Sequence, residues 1–479
     1  MKQKRVAQNT LYITLALIVQ KILSFVYFWF ISNGLTPNDL GKYVFALSLT
    51  TLFSVFTDLG IVPVLIRESS KKQDKANDYL QNIFGIKIIL SLSTFLALSF
   101  FITISNKGSD VKTLVFLASI IMIIDTFTIS LWAVLRSRKN LIYESIATIV
   151  VQVIIFTLGL TALKTTGKTS LLIGALVAAS IFNFCYAFFI TKTRLHFTLK
   201  PKFDKKTIRY FLTLLPYFAL GGIFVKIYNT ADSVLLGFLA SDTDVGFYAV
   251  PAKVITAFTQ ILPAAFATAI YPVFSSLYTT SKDKLSRTFE SAFLYILIIS
   301  LPLTFGMIAV MRELLFLVWP SYTDVLPTFF VMTLAIPFIF LSFPTGYLLN
   351  ASDKQKNNTF DRGLMTLLVV ILNLLLIPKL GTLGAGIAFL AANILLFTLD
   401  FFWTLQTVHL KIKNIFFTAV KSLFASIVMF VLVFYLKSAL PLVLSILVGA
   451  ISYFVVLFLT NGLRTEEFKK IIRQAIKKT

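Results

Sequence analysis

Nine ionisable side chains, Lys21, Asp58, Lys87, Asp125, Lys226, Asp232, Lys253, Asp400 and Lys421, interrupt stretches that are otherwise almost wholly apolar. A charge at the centre of a membrane helix costs about 2.5–3.5 kcal/mol on insertion scales, so each of these residues needs a partner, water or a task. Two chemistries are open to them. Ammonium groups converging on one point would bind a multiply charged anion, and a phosphate or pyrophosphate has the charge and acceptor oxygens to bridge two of them. A carboxylate held among helices would take a cation or a proton instead.

Lys21 and Lys226 are the first candidates for an anion site. At about 1.5 Å per helical residue, each lies roughly 16–20 Å below the outer boundary of its apolar stretch, near the midplane. The competing reading neutralises each with a carboxylate, Asp125 being at similar depth. Lys253 and Asp232 sit roughly 10–12 Å from the outer face on adjacent helices; they can form an ion pair, and Asp232 becomes a cation or proton site if that pair opens. Asp58 and Asp400, near inner helix ends, are open to coupling or pairing. Lys87 and Lys421 are close enough to the inner edge to snorkel and receive no role.

Other chemistry is poorly supplied. Gly167-Lys168-Thr169 copies the end of a phosphate-binding loop, but Ala162 stands where the motif needs glycine and no buried strand precedes it. The two histidines, His196 and His409, have no second histidine at metal-ligand spacing, so no metal site and no catalytic residues are assigned. The single cysteine, Cys185, excludes an intramolecular disulfide. No nucleophile elbow is present, and the outer loops are too short to house a catalytic domain.

The elements that must hold these residues are membrane helices. Fourteen apolar stretches, at 10–32, 43–66, 80–105, 113–135, 143–163, 171–191, 210–239, 245–272, 289–311, 326–349, 364–377, 382–404, 416–436 and 440–460, fill most of the 479 residues. A helix needs about 20 mostly apolar residues to cross the hydrocarbon, and only 364–377 falls short, which predicts an extension toward Phe360 or Leu380. The fold class is therefore an all-α polytopic membrane protein with 14 transmembrane helices.

Basic residues then set the orientation, because Lys/Arg accumulate in cytoplasmic loops. With the N-terminus inside, 31 of the 44 Lys/Arg fall in inner segments, 8 in outer loops and 5 inside spans. Both termini are accordingly expected in the cytoplasm of a multi-pass protein of the cell membrane. The net charge of +23 is spread over these short inner segments and faces anionic lipid, so no nucleic acid partner is expected. Gln20 and Lys21 interrupt the first apolar run and no cleavage site follows, which predicts an uncleaved first helix rather than a signal peptide.

An internal repeat is legible at an offset of 205 residues. Lys21 falls on Lys226, Ile22 on Ile227, Asp39 on Asp244, Gly41 on Gly246 and Tyr43 on Tyr248. A six-span unit re-enters the membrane with the same topology, which predicts two parallel six-helix lobes. Residues 1–191 form the first lobe, 192–209 a basic cytoplasmic linker, 210–410 the second lobe and 411–463 an appended helix pair. The tail at 464–479 places Phe468, Ile471, Ile472, Ala475 and Ile476 on one face, an interfacial amphipathic helix. Prolines 216, 251, 263, 302, 337 and 344 crowd the second lobe, whereas the first six spans hold only Pro63; the second lobe is the better candidate for bending. The connection around Arg312–Asp324 reads as partly apolar and interfacial.

Asn9-Thr10-Leu11, FTDLGIVPVLIRESS (56–70), the run from Asp232 through Gly237 to Tyr248 and Lys253, and ELLFLVWPSYTD followed by GYLLNASDKQKNN together resemble the polysaccharide-transporter branch of the MOP superfamily, which includes O-antigen-type flippases. The resemblance implies two lobes around a cavity that opens alternately to each side. It implies a transporter, not an enzyme, that moves a polyprenyl-diphosphate-linked oligosaccharide from the cytoplasmic to the outer leaflet for cell-surface polysaccharide biosynthesis. A polysaccharide polymerase or chain-length regulator is the kind of protein partner it implies. The drive for transport is left open among H+, Na+ and substrate flux alone, and no cofactor is expected. Lys21, Lys226 and Lys253 would then hold the diphosphate. Family cavities often carry arginine, and this chain has none mid-span. A MATE-type cation or drug antiporter, wanting an acidic cavity, is the alternative; a polytopic polymerase is a more distant one.

Overall fold

The computed structural model describes residues 2–462, apart from the side chains of residues 2–11, 216–218, 260–265 and 267–269. The expected amphipathic tail, 464–479, lies outside the described residues, as do the side chains of Asn9, Thr10 and Leu11. Among the described residues sixteen α-helices follow one another and no strand occurs. In chain order they begin with α1 (Lys2–Gly34), α2 (Pro37–Asp58), α3 (Ile61–Lys71) and α4 (Ala76–Ile104). Next come α5 (Ser109–Ser137), α6 (Ile142–Thr165), α7 (Thr169–Leu195), α8 (Lys205–Leu239) and α9 (Asp242–Thr280). The chain continues through α10 (Lys282–Val318), α11 (Leu326–Thr333), α12 (Ile336–Ala351) and α13 (Gln355–Leu380). It closes with α14 (Thr382–Leu405), α15 (Ile412–Leu436) and α16 (Leu442–Leu459).

Thirteen membrane-length apolar segments are present among the described residues, and α9 covers the remaining expected span, 245–272. Many large apolar side chains, such as Phe100, Phe316, Val443 and Leu459, point outward with more than 60% of their surface exposed. On a water-soluble protein that would be a liability; on helices of this length it is the lipid-facing surface. The short expected span 364–377 extends both ways into α13, as anticipated. The expected span 326–349 is instead broken between α11 and α12, where Pro337 supplies no backbone N–H for a continuous ladder. The connection expected around Arg312–Asp324 is not interfacial throughout: Phe316 and Leu317, at the end of α10, face outward, while Trp319 and Tyr322 after it are among the most deeply buried side chains.

The chain packs as two compact units. One comprises Met1–Lys253 with Thr366–Ala388, and the other Val254–Met365 with Phe389–Thr479. In the first, α2 ends because Leu59 and Gly60 both adopt left-handed backbone (φ 43° and 78°), which turns the chain sharply into α3. The apolar face of α3 then packs into a core with Leu80, Leu131, Trp132 and Phe211. In the second unit α15 and α16 lie against α10. The Tyr453 hydroxyl donates to the Ile298 carbonyl at 2.6 Å, and Lys437 pairs with Glu313 at 3.0 Å.

The 205-residue register recurs as matched geometry at the starts of α2 and α9. Thr36 caps the first, its hydroxyl accepting from the Asp39 N–H while donating to the Asp39 carboxylate. Ser241 and Asp244 repeat both contacts at the second, so each helix begins with the same reciprocal cap. The two caps meet. Asn38 Nδ2 donates to Thr243 Oγ1 at 3.2 Å. A Cβ on Gly41 would stand 1.6 Å from the Asp242 carbonyl oxygen, and one on Gly246 1.9 Å from that of Pro37. Glycine is required at both positions because backbone lies against backbone. Lys107 secures the junction, pairing with Asp242 while its ammonium sits 4.5 Å from the Phe45 ring centre.

Candidate functional site

The first unit gathers most of the charged side chains that lie in membrane helices. Lys253, on α9, reaches α1: its Nζ donates to Ser24 Oγ at 3.1 Å and lies 5.4 Å from the centre of the Phe28 ring. No carboxylate neutralises it among the described residues. Ser24 stands one turn from Lys21 on the same side of α1, so Lys253 is drawn to the helix edge that carries Lys21. Lys226, on α8, is tied instead to α2, where its Nζ donates to Ser54 Oγ at 3.0 Å. Asp58, one turn further along α2, is its nearest source of negative charge.

Asp58 has a closer partner. Lys87 Nζ meets the Asp58 carboxylate at 2.9 Å and also donates to the carbonyl and hydroxyl of Thr126 at 2.8 and 3.0 Å. Lys87 is completely buried, so the expectation that it snorkels to the inner edge is corrected. Three acceptors already satisfy its ammonium inside the bundle, and leaving them would cost the hydrogen bonds as well as the ion pair. Truncating Asp58 should therefore strand a buried cation. Asp58→Ala is expected to destabilise the protein by about 3–5 kcal/mol, and Asp58→Leu with Lys87→Met to recover most of it. Thermal unfolding of the purified variants in detergent checks this, and equal loss in single and double variants would remove the pair's importance.

Asp125 and Asp232 have neutral partners. Asp125 accepts from the Ser180 hydroxyl. Asp232 does not meet Lys253; it is buried and accepts from the Tyr248 hydroxyl and from Asn373 Nδ2, the latter at 2.6 Å. Asn373 Oδ1 is buried beside it, with no hydrogen-bond donor among the described residues. Sequence reasoning missed Tyr248 as a ligand although the repeat contained it. The residue in register with Asp232 is Tyr27, which faces Tyr43, so only the second copy of this pair carries an acid. Lys421, in the first half of α15, donates to the Asn461 carbonyl at 3.2 Å.

Asp400 belongs to the second unit. It is fully buried on α14 and lies within hydrogen-bonding reach of Asp361 on α13. Arg362 is beside the pair, held by its Nε to Asn358 Oδ1 at 2.9 Å. Asn358 in turn donates to the Gly346 carbonyl at 3.1 Å, so the GYLLNASDKQKNN segment folds back to build this cluster. Asp361 and Arg362 were missed because they precede the apolar run of their helix and read as loop.

A bundle of membrane-length helices with paired helix starts and embedded lysines and aspartates defines a polytopic membrane protein. The fold is similar to the lipid II flippase MurJ in an inward closed conformation, with a TM-score of 0.74 at 17% identity over 93% of this chain and 98% of that one. It is also similar to a multidrug resistance MATE family transporter of the MOP superfamily in an inward-facing conformation, with a TM-score of 0.62 at 13% identity over 81% and 94% of the two chains. Residues 6–278 match the polysaccharide biosynthesis protein family model, and the chain belongs to that family. It is 28% identical over 263 residues to the probable flippase AglR of Haloferax volcanii, a match covering 52% of this chain and 54% of that protein. The chain thus spans about half the length of the curated relative it matches. The resemblance read from the sequence motifs is borne out at the level of family and fold.

Proposed function

We propose that the protein is a flippase for a polyprenyl-diphosphate-linked oligosaccharide, carrying it from the cytoplasmic to the outer leaflet by alternating access of two six-helix lobes. The observation that carries this reading is Lys253. It is a membrane-embedded cation whose described neighbours are a serine hydroxyl and an aromatic face. Such a charge is costly until an anion arrives. Lys21, on the adjoining edge of α1, and Lys226 would complete a cationic path for the diphosphate, while the lipid tail remains in the bilayer. Family membership and the flippase named among the relatives support a lipid-linked substrate over a soluble one. Both termini would face the cytoplasm, and a polysaccharide polymerase or chain-length regulator would take the product.

Coupling would fall to the embedded carboxylates. A sodium ion would find the Asp232 carboxylate and the open Asn373 Oδ1 side by side, and a proton could be shared between Asp361 and Asp400. The test is reconstitution of purified protein into vesicles containing a fluorescent polyprenyl-diphosphate oligosaccharide, with outer-leaflet probe quenched by an impermeant reductant. Wild type should flip the lipid and Lys253→Ala should slow it at least tenfold; equal rates in protein-free vesicles would refute the assignment.

A further inference from the structure

The linker after α7 is not a loose tether. Gln81 Nε2 donates to the Thr198 carbonyl at 2.8 Å, the Lys202 N–H to the Gln81 carbonyl at 3.0 Å, and the Asp204 N–H to Asn82 Oδ1 at 2.7 Å. The fit is close enough that a Cβ on Gly85 would stand 2.4 Å from the Lys202 carbonyl oxygen. This docking frames an open, solvent-facing cavity of about 460 Å³ between the linker, the start of α4 and the start of α8.

Four lysines line it: Lys72, Lys75, Lys202 and Lys206. The two carboxylates in its wall are already engaged. Asp78 pairs with Lys202 at 2.9 Å. Asp204 caps α8, accepting from the Lys206 and Thr207 N–H groups and the Thr207 hydroxyl. Lys72, Lys75 and Lys206 make no ion pair among the described residues. Tyr210 at the rim is oriented by donating to Glu68. Four ammonium groups against two carboxylates leave a net charge near +2 around a preformed hollow. The volume falls in the range of small-molecule sites, about 300–1,000 Å³, and exceeds what a bare phosphate fills. It suits a phosphate carrying an organic headgroup.

We propose that this cavity is a binding site for a phosphate-bearing headgroup on the basic face of the membrane, separate from the embedded lysines. The inference stands on the linker geometry and does not depend on which substrate crosses the membrane. The headgroup can come from an anionic lipid or from a soluble phosphate compound, and both are tested with the full-length protein. Native mass spectrometry in phosphatidylglycerol-doped micelles counts retained lipid; inorganic pyrophosphate titration, followed by hydrogen–deuterium exchange of 196–210, reports the soluble source. The variant is Lys72→Gln with Lys75→Gln and Lys206→Gln, and the charge-matched control is Lys192→Gln with Lys411→Gln and Lys413→Gln.

Lipid retention that falls at least tenfold in the variant but not in the control supports the site with a lipid ligand. Pyrophosphate protection of the linker, lost in the variant and kept in the control, supports it with a soluble ligand. Equal loss in variant and control, or binding of neither probe by wild type, overturns it. All six positions are exposed, so both triple variants should fold as wild type does.

Discussion

Valine at Gly246 is expected to abolish transport while leaving the protein inserted and folded, because it wedges α2 and α9 apart where their starts cross. Even alanine adds a Cβ 1.9 Å from the Pro37 carbonyl oxygen, and at Gly41 the same atom meets the Asp242 carbonyl oxygen at 1.6 Å. No side-chain rotation relieves either clash, since the obstacle is backbone. Overpacking of this kind costs about 1–3 kcal/mol or more, enough to shift a conformational equilibrium by roughly ten- to a hundredfold against the closed junction. The proposed cycle of alternating access needs that junction to close as well as open, so a variant held apart should bind substrate and fail to turn over. Leu40, fully buried next to the junction, provides the readout. With Leu40→Cys on a Cys185→Ser background, labelling by a membrane-impermeant maleimide should be slow and should rise at least tenfold when Gly246→Val is added. Unchanged labelling together with unchanged transport would mean that the contact is not part of the cycle.

The second large effect is expected at the embedded lysines. Hydrogen bonds to charged groups contribute about 1.5–3 kcal/mol each, so replacing Lys21, Lys226 or Lys253 by alanine should weaken capture of a diphosphate by about ten- to a hundredfold apiece. Lys253 should show the larger loss, because its described contacts are Ser24 and the Phe28 ring and no carboxylate competes with the ligand. Lys226 already lies near Asp58, so its loss should be smaller. Lys253→Arg separates charge from shape: retained transport would indicate that positive charge suffices, whereas loss would indicate a site fitted to a compact ammonium. Wild-type rates from a Lys21→Ala, Lys253→Ala double variant would sink the anion-site reading.

Hydropathy alone delineated nearly every helix, because twenty apolar residues in a row have few other uses. The repeat was legible from five identities, and the matched caps at Thr36–Asp39 and Ser241–Asp244 show why those positions coincide. What hydropathy could not supply was contact between helices far apart in sequence. Lys87 looked free to snorkel because its partners, Asp58 and Thr126, come from two other helices. Asp232 looked paired with Lys253 because the two are adjacent in depth, yet rotation of α9 turns Lys253 toward α1 and leaves Asp232 to Tyr248 and Asn373. Asp361 was invisible for a different reason. Its polar neighbours lowered the local hydropathy below that of a span, although α13 carries them into the buried interior beside Asp400.

The proposed transport requires that lysines inside the membrane bind a phosphate-bearing lipid. Native mass spectrometry of the purified protein with a polyprenyl-diphosphate oligosaccharide tests it most directly, comparing wild type with the Lys21→Ala, Lys226→Ala, Lys253→Ala variant. The expected result is a retained lipid on wild type and its loss from the triple variant, with Lys72, Lys75 and Lys206 intact in both. Equal retention by the two proteins, or binding of small organic cations in place of the lipid, would contradict it.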